Sequence, residues 1–182
     1  MNEFELRILD FIQENFKCAF LDFFMPLVTL FGEGGVFWIA TAAVLLIFKK
    51  TRKTGAAMGV ALALGFLIGN LTLKPLIARV RPYDMPGVEV SMLVSHLGDK
   101  SFPSGHTLAC FEAATVLFIH NKKVGIAALV VAVSVALSRL YLYVHYPTDV
   151  LAGAVLGIVF GVLGCLAVKY AINLYNKKKI GQ

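Results

Sequence analysis

Six residues of this chain combine the side-chain types that phosphoryl chemistry needs: two histidines, one aspartate and three cations. His145 and Asp149 stand four apart, with Pro147 between them. Pro147 suits the first turn of a helix, and a carboxylate one turn after a histidine can reach back to its ring. A carboxylate on one ring nitrogen fixes the tautomer and leaves the other nitrogen free to attack. Ser138 and Arg139 precede this pair. Upstream, Phe102-Pro103-Ser104-Gly105-His106 reads as the start of another helix. Unpaired amides and the helix dipole make such a start an anion site, and Gly105 lets the backbone approach an oxyanion closely. Further upstream, Lys74 and Arg81 are seven apart and share a face if one helix runs through both. Arg79 then points about 140° away from Lys74 and is expected to snorkel toward lipid headgroups. Lys74, Arg81 and Arg139 with helix amides make a site for an anion of several oxygens, such as phosphate. His106 and His145 supply a nucleophile and an acid, and spacing alone does not decide which is which. The sequence offers no carboxylate cluster for magnesium or calcium, so the chemistry favours phosphoryl transfer without metal or cofactor.

The elements that must position these residues follow from composition. Of 182 residues, 58% are hydrophobic and 15% charged. A soluble domain is about 45–50% apolar and roughly a quarter charged, so a soluble fold is disfavoured. The length suits one unit over 1–182: interfacial and partly inserted helices over 1–31, a bundle over 34–170 and a basic tail over 171–182. Residues 2–16 place Phe4, Ile8, Phe11, Ile12 and Phe16 on one face of an amphipathic helix lying on the bilayer. The apolar stretch 19–48 is interrupted by Gly32-Glu33-Gly34-Gly35 and divides into a helix over 20–31 and a first full span over 34–48. A single long tilted helix is the alternative. Further spans are expected at 55–73, 104–120, 124–142 and 148–170, each near the ~20 residues that cross a ~30 Å hydrocarbon core. The predicted fold is therefore all-α, a membrane bundle of five to six transmembrane helices.

Charge orients the bundle. Lys49, Lys50, Arg52, Lys53, then Lys122 and Lys123, then Lys177, Lys178 and Lys179 form three basic clusters without an acid. The positive-inside rule makes these cytoplasmic, so the 80–102 loop and the 143–147 turn face outward. Five spans then put the N-terminus outside; six would put it inside, against its acidic character. The net charge of +6 reads as topology rather than as a nucleic-acid footprint. Residues 1–22 lack the basic start of a cleavable signal peptide. Cys18, Cys110 and Cys165 lack metal or redox spacing and read as packing residues. All six chemistry-bearing residues fall on the outward side, and charges at a bilayer are costly and usually functional.

Lys74-x6-Arg81-Pro82, Pro103-Ser104-Gly105-His106 and Ser138-Arg139-x5-His145-x3-Asp149 together resemble the three-part signature of the type 2 phosphatidic acid phosphatase and vanadium haloperoxidase superfamily. The parts occur in order over roughly residues 70–160. The resemblance implies that His145 attacks phosphorus to form a phosphohistidine, Asp149 orients it, and His106 protonates the leaving oxygen. It implies that Lys74, Arg81 and Arg139 hold the phosphoryl oxygens, with Ser104 and the Gly105 amide completing the cradle. Haloperoxidase members are larger and soluble, so the spans favour the lipid phosphatase branch. Compact bacterial members act on undecaprenyl pyrophosphate, phosphatidylglycerol phosphate or phosphatidate, and the small size points by analogy to undecaprenyl pyrophosphate. The expected partners are a lipid phosphate and the bilayer, without nucleic acid; a homodimer is left open. Two other readings stand beside hydrolysis. One is transfer to a different acceptor. The other is an anion channel or transporter, which calls for charge near the midplane, where only Glu112 lies. Glu112 could pair with a site cation or sit hydrogen-bonded between helices. His96, Asn70 and His120 read as loop, packing and interfacial residues. Gly153, Gly157, Gly161 and Gly164 form a close-packing helix face with an unassigned partner.

Overall fold

Apolar runs that cross a hydrocarbon layer leave the backbone no partner but itself, so they fold as helices. The computed structural model describes residues 2–180, and no strand occurs among them. Chain order is α1 (Asn2–Phe16), α2 (Ala19–Thr29), a 3-10 turn (Leu30–Gly35), α3 (Val36–Ile47), α4 (Arg52–Leu64), a π-helical stretch (Gly65–Leu73), α5 (Lys74–Ile77), α6 (Gly105–His120), α7 (Lys122–Tyr141) and α8 (Pro147–Ile180). Four helical segments are long and apolar enough to cross a membrane: Ala19–Ile47, Arg52–Asp84, Lys122–Tyr141 and Pro147–Lys179. The shorter α6 is the centre of the bundle, packed by α4, α7 and α8 and burying Leu108, Cys110, Ala113, Ala114 and Val116. Large apolar side chains such as Phe66, Leu71, Val130, Leu151 and Leu166 stay exposed, the surface that a bilayer solvates.

The 19–48 stretch is two helices. Glu33 leaves the helical region, and Gly34 and Gly35 take φ of 54° and 67°, which L side chains resist. The long-helix alternative therefore does not hold. A second expectation also fails: Lys74 and Arg81 do not share a helical face. Ala78, at φ 50°, ends α5, and Arg81 follows in extended backbone. Pro75 has no N–H to give the helix, and the π-helical stretch just before it absorbs the disruption.

The glycine face of α8 packs inside the chain. A Cβ on Gly153 would stand 2.7 Å from the Ser104 carbonyl oxygen, and one on Gly157 would stand 2.7 Å from that of Leu108. Gly161 meets Thr115 of α6, and Gly164 meets Ala57 of α4. α8 continues through the predicted tail to residue 180; residues 181 and 182 lie outside the described residues, as does Met1. The three basic clusters lie at one end of the bundle, where Lys53, His120 and Lys169 line a common hollow. At the other end α6 begins, α7 ends and α8 begins. There α1 turns Phe4, Phe11 and Phe16 outward and buries Leu9 and Glu5. Gln13 donates to the Tyr141 carbonyl at 2.5 Å and the Tyr143 hydroxyl to Asp10 at 2.6 Å, tying α1 to the α7–α8 turn.

Candidate active site

Three chain segments far apart in sequence deliver the cations. Lys74 opens α5, Arg81 follows its end, and Arg139 sits in the last turn of α7; all three are buried. Arg81 gives Nη1 to the Val144 carbonyl at 2.8 Å and stands 3.3 Å from Nε2 of His145. Its Nε donates to the Asp99 carbonyl at 2.9 Å and its Nη2 to the Asp99 carboxylate at 2.5 Å. Lys74 is ion-paired to the other oxygen of that carboxylate. Arg139 gives Nη1 to Thr29 Oγ1 at 2.5 Å, while its Nε and Nη2 are buried without a hydrogen-bond partner among the described residues. Buried donors are rarely left so, and two on one guanidinium mark a place for an acceptor.

His145 lies in the turn between α7 and α8, beside Tyr143 at φ 59°. Nδ1 faces Asp149 Oδ2 at 3.5 Å and Ser101 Oγ at 3.4 Å, which leaves Nε2 on the Arg81 side. Burial, with Arg81 and Arg139 close by, outweighs the pull of Asp149 and pushes the His145 imidazole down to about 3. At neutral pH the ring is uncharged, the form that carries a free lone pair. Asp149 is wholly buried at the start of α8, where its Oδ2 accepts from Ser101 Oγ at 2.5 Å and from the Tyr146 amide at 3.0 Å. Its Oδ1 accepts from Arg79 at 2.6 Å. The snorkelling expectation for Arg79 is thus wrong: the side chain turns inward to two carboxylates, Asp149 and Glu5.

His106 occupies the first turn of α6, with Nε2 3.1 Å from the carboxylate of Glu33 at the break between α2 and α3. Ser104 caps α6: its hydroxyl oxygen accepts from the Thr107 amide, and its own amide donates to the Asp149 carbonyl at 3.1 Å. Lys74, Arg81, Gly105, His106 and His145 line one cleft of about 700 Å³, and Ile39, Leu62, Phe66 and Leu108 line its apolar part. A charged head end joined to an apolar slot matches an amphiphile rather than a free anion.

Comparison with known proteins places this arrangement. Residues 54–173 match the PAP2 superfamily. The chain belongs to that superfamily. It is 34% identical over 155 residues to an undecaprenyl-diphosphatase of Sulfolobus acidocaldarius, covering 85% of this chain and 73% of that one. Among solved structures, LpxE of Aquifex aeolicus superposes with a TM-score of 0.76 at 29% identity, covering 87% of this chain and 93% of the other. A PAP2 type phosphatidylglycerolphosphate phosphatase of Bacillus subtilis superposes with a TM-score of 0.66 at 30% identity, covering 90% and 82%. Such kinship makes this PAP2 chain a membrane-embedded hydrolase of the phosphatase type.

In this PAP2 bundle Glu112 has no cationic partner among the described residues. Its carboxyl sits against Gly65, one oxygen unpaired, and lines the same cleft deeper in the bundle than His106. Asn70 adjoins Gly105, His96 packs edge-on to Tyr83, and His120 bonds the Val116 carbonyl at the basic end. Four side chains at the site carried weak sequence signals or none. Asp99 and Ser101 come from the 80–102 loop, Ser101 adjoining the Phe102–His106 segment. Glu33 interrupts an apolar run between glycines, and Glu5 lies in the N-terminal helix. Burial pushes the Asp99 carboxyl up, but Lys74 and Arg81 outweigh it and hold it down at about 2.

Proposed function

We propose that this PAP2 protein hydrolyses a lipid-linked phosphate monoester or pyrophosphate through a phosphohistidine on His145, without metal. The observation that carries the reading is Arg139: two buried donors without a partner among the described residues, within electrostatic reach of Lys74, Arg81 and His145. Nε2 of His145 attacks phosphorus while Asp149, bonded at Nδ1, stabilises the imidazolium that forms. Lys74, Arg81 and Arg139, with the Gly105 amide and Ser104, hold the phosphoryl oxygens as charge moves onto them. His106 gives its proton to the leaving oxygen and then takes one from the water that breaks the P–N bond. Glu33, 3.1 Å from Nε2 of His106, fixes the direction of that ring. The apolar part of the cleft takes the first segment of the lipid, and the rest stays in the bilayer.

Undecaprenyl pyrophosphate leads the substrate list, since the Sulfolobus relative is named for it. Phosphatidylglycerol phosphate stands second, on the Bacillus subtilis structure. The three basic clusters lie at the end away from the site, so the positive-inside rule turns the site outward. A cysteine placed at Ser91 in a Cys18→Ser background is then labelled in intact cells by an impermeant thiol reagent. Labelling only after permeabilisation would reverse the orientation. For the chemistry, rapid acid-free quenching with 32P-labelled lipid phosphate traps an acid-labile, base-stable adduct on His145. Turnover with no such adduct, or full activity in His145→Ala, would sink the mechanism.

A further inference from the structure

We infer that Arg79 is a positioning residue for the His145–Asp149 pair, held in place by Glu5 of the N-terminal helix. The inference rests on the reading of His145 as nucleophile and Asp149 as its orienting carboxylate. Asp149 presents two oxygens. Oδ2 looks toward His145 and takes bonds from Ser101 and the Tyr146 amide. Oδ1 looks the other way and takes Arg79 Nη1 at 2.6 Å. A wholly buried carboxylate needs a compensating charge. Arg81 and Arg139 serve the phosphate side, so Arg79 is the cation on the far side of Asp149 from the ring. A guanidinium on Oδ1 also fixes the carboxylate plane, and hence where Oδ2 points.

Arg79 is itself held on several sides. Its Nη2 is ion-paired to Glu5, its Nη1 donates to Thr148 Oγ1 at 2.7 Å, and its plane lies 3.8 Å over the Tyr146 ring. Glu5 also accepts from the Thr148 amide at 3.0 Å and the Thr148 hydroxyl at 2.6 Å, so it satisfies an otherwise unpaired N–H in the first turn of α8. The result is an alternating chain, Glu5, Arg79, Asp149, His145, from the N-terminal helix α1 to the reacting nitrogen. Among the described residues that line the cleft neither Arg79 nor Glu5 occurs, and the Arg79 side chain meets the pair at Asp149; its carbonyl also takes the Ser101 amide at 2.9 Å, a backbone bond that side-chain substitution leaves in place. Removing the link misdirects the nucleophile without weakening the grip on substrate.

Steady-state kinetics on lipid phosphate with the purified full chain tests this. Arg79→Gln lowers kcat on the order of 10- to 100-fold with KM within about threefold. Arg79→Lys recovers only part, because one ammonium cannot serve two carboxylates in a fork. In an Asp149→Asn background the same Arg79→Gln change costs less than about threefold more, because the effect passes through Asp149. Glu5→Gln keeps an oxygen for the Thr148 amide, removes the partner charge and lowers kcat by about three- to tenfold; it reports on the same chain if the Arg79 variants do not fold. Unchanged kcat in the folded variants, a loss in KM instead, or losses that multiply fully on Asp149→Asn would overturn the assignment. His145→Ala runs beside them: full activity there defeats the underlying nucleophile, whereas its inactivity with a normal Arg79→Gln enzyme defeats only the role of Arg79.

Discussion

Lys74 and Arg81 face a carboxylate of their own chain where the proposed mechanism places phosphoryl oxygens. Asp99 is about half exposed, with a side-chain accessibility of 53%, so its bonds to the two cations are partly screened and reversible. A phosphoryl dianion brings more charge and also satisfies Arg139, so it displaces Asp99 on binding. Replacing Asp99 by Asn keeps the shape and removes the competing charge. Inorganic phosphate then inhibits Asp99→Asn about three- to tenfold more tightly than the parent, an effect of the size expected for losing two screened pairs. Equal inhibition constants would show that Asp99 does not compete. Because Lys74 and Arg81 hold Asp99 at about 2, below its ordinary 3.8, it stays charged down to acid pH, and the difference between the proteins holds unchanged from pH 5.5 to 8. At this scale the sequence singled out six candidate residues, whose types are few in so apolar a chain. Their partners were hidden because pairing is a property of contact. Arg79 finds its acids 74 and 70 residues away, and a lone cation near a membrane boundary reads as a snorkelling side chain until those acids are placed.

Helices set the site by how closely they approach. α6 carries His106, and α8 carries Asp149, so the distance between these two helices fixes the proposed acid against the carboxylate proposed to support the nucleophile. The approach depends on Gly153, Gly157 and Gly161, each of which meets α6 where a side chain would stand. Gly157→Ala puts a methyl group 2.7 Å from the Leu108 carbonyl oxygen and from Phe111 Cβ, and backbone cannot yield as a flexible side chain does. That variant loses on the order of 1–3 kcal/mol of stability, read as a lowered unfolding temperature in detergent, and loses activity with it. Gly59, inside α4 with nothing within 4 Å, is the control: Gly59→Ala leaves activity unchanged and does not lower the unfolding temperature. The small-residue face was legible from spacing alone, but whether it packed within or between chains was not, since period names a face and never its partner. The break at Ala78 was illegible for a related reason: Lys74 and Arg81 fit a helical spacing, and only the folded backbone shows that an extended segment brings them together.

At the scale of the molecule, the bundle keeps its charge at its ends. Basic clusters occupy one end and the candidate site the other, with Glu112 the interior exception. Hydropathy and charge patterning made this division readable in advance, because a bilayer penalises any other arrangement. They did not show that α6, only 16 residues long, stands at the centre, since burial among helices and exposure to lipid favour the same apolar side chains. A transporter would carry its polar residues along a path through the bundle, whereas the cleft gathers Lys74, Arg81, His106 and His145 together and sets Asn70 and Glu112 among apolar Ile39, Leu62, Phe66 and Leu108. The most direct test puts the purified protein in sealed vesicles containing undecaprenyl pyrophosphate or phosphatidylglycerol phosphate, with excess chelator, and measures released inorganic phosphate beside the flux of trapped anions. A lipid phosphatase working through His145 releases phosphate with chelator present, moves no trapped anion, and stops in His145→Ala. Anion flux without phosphate release, or hydrolysis that survives His145→Ala or needs a divalent ion, would contradict the account.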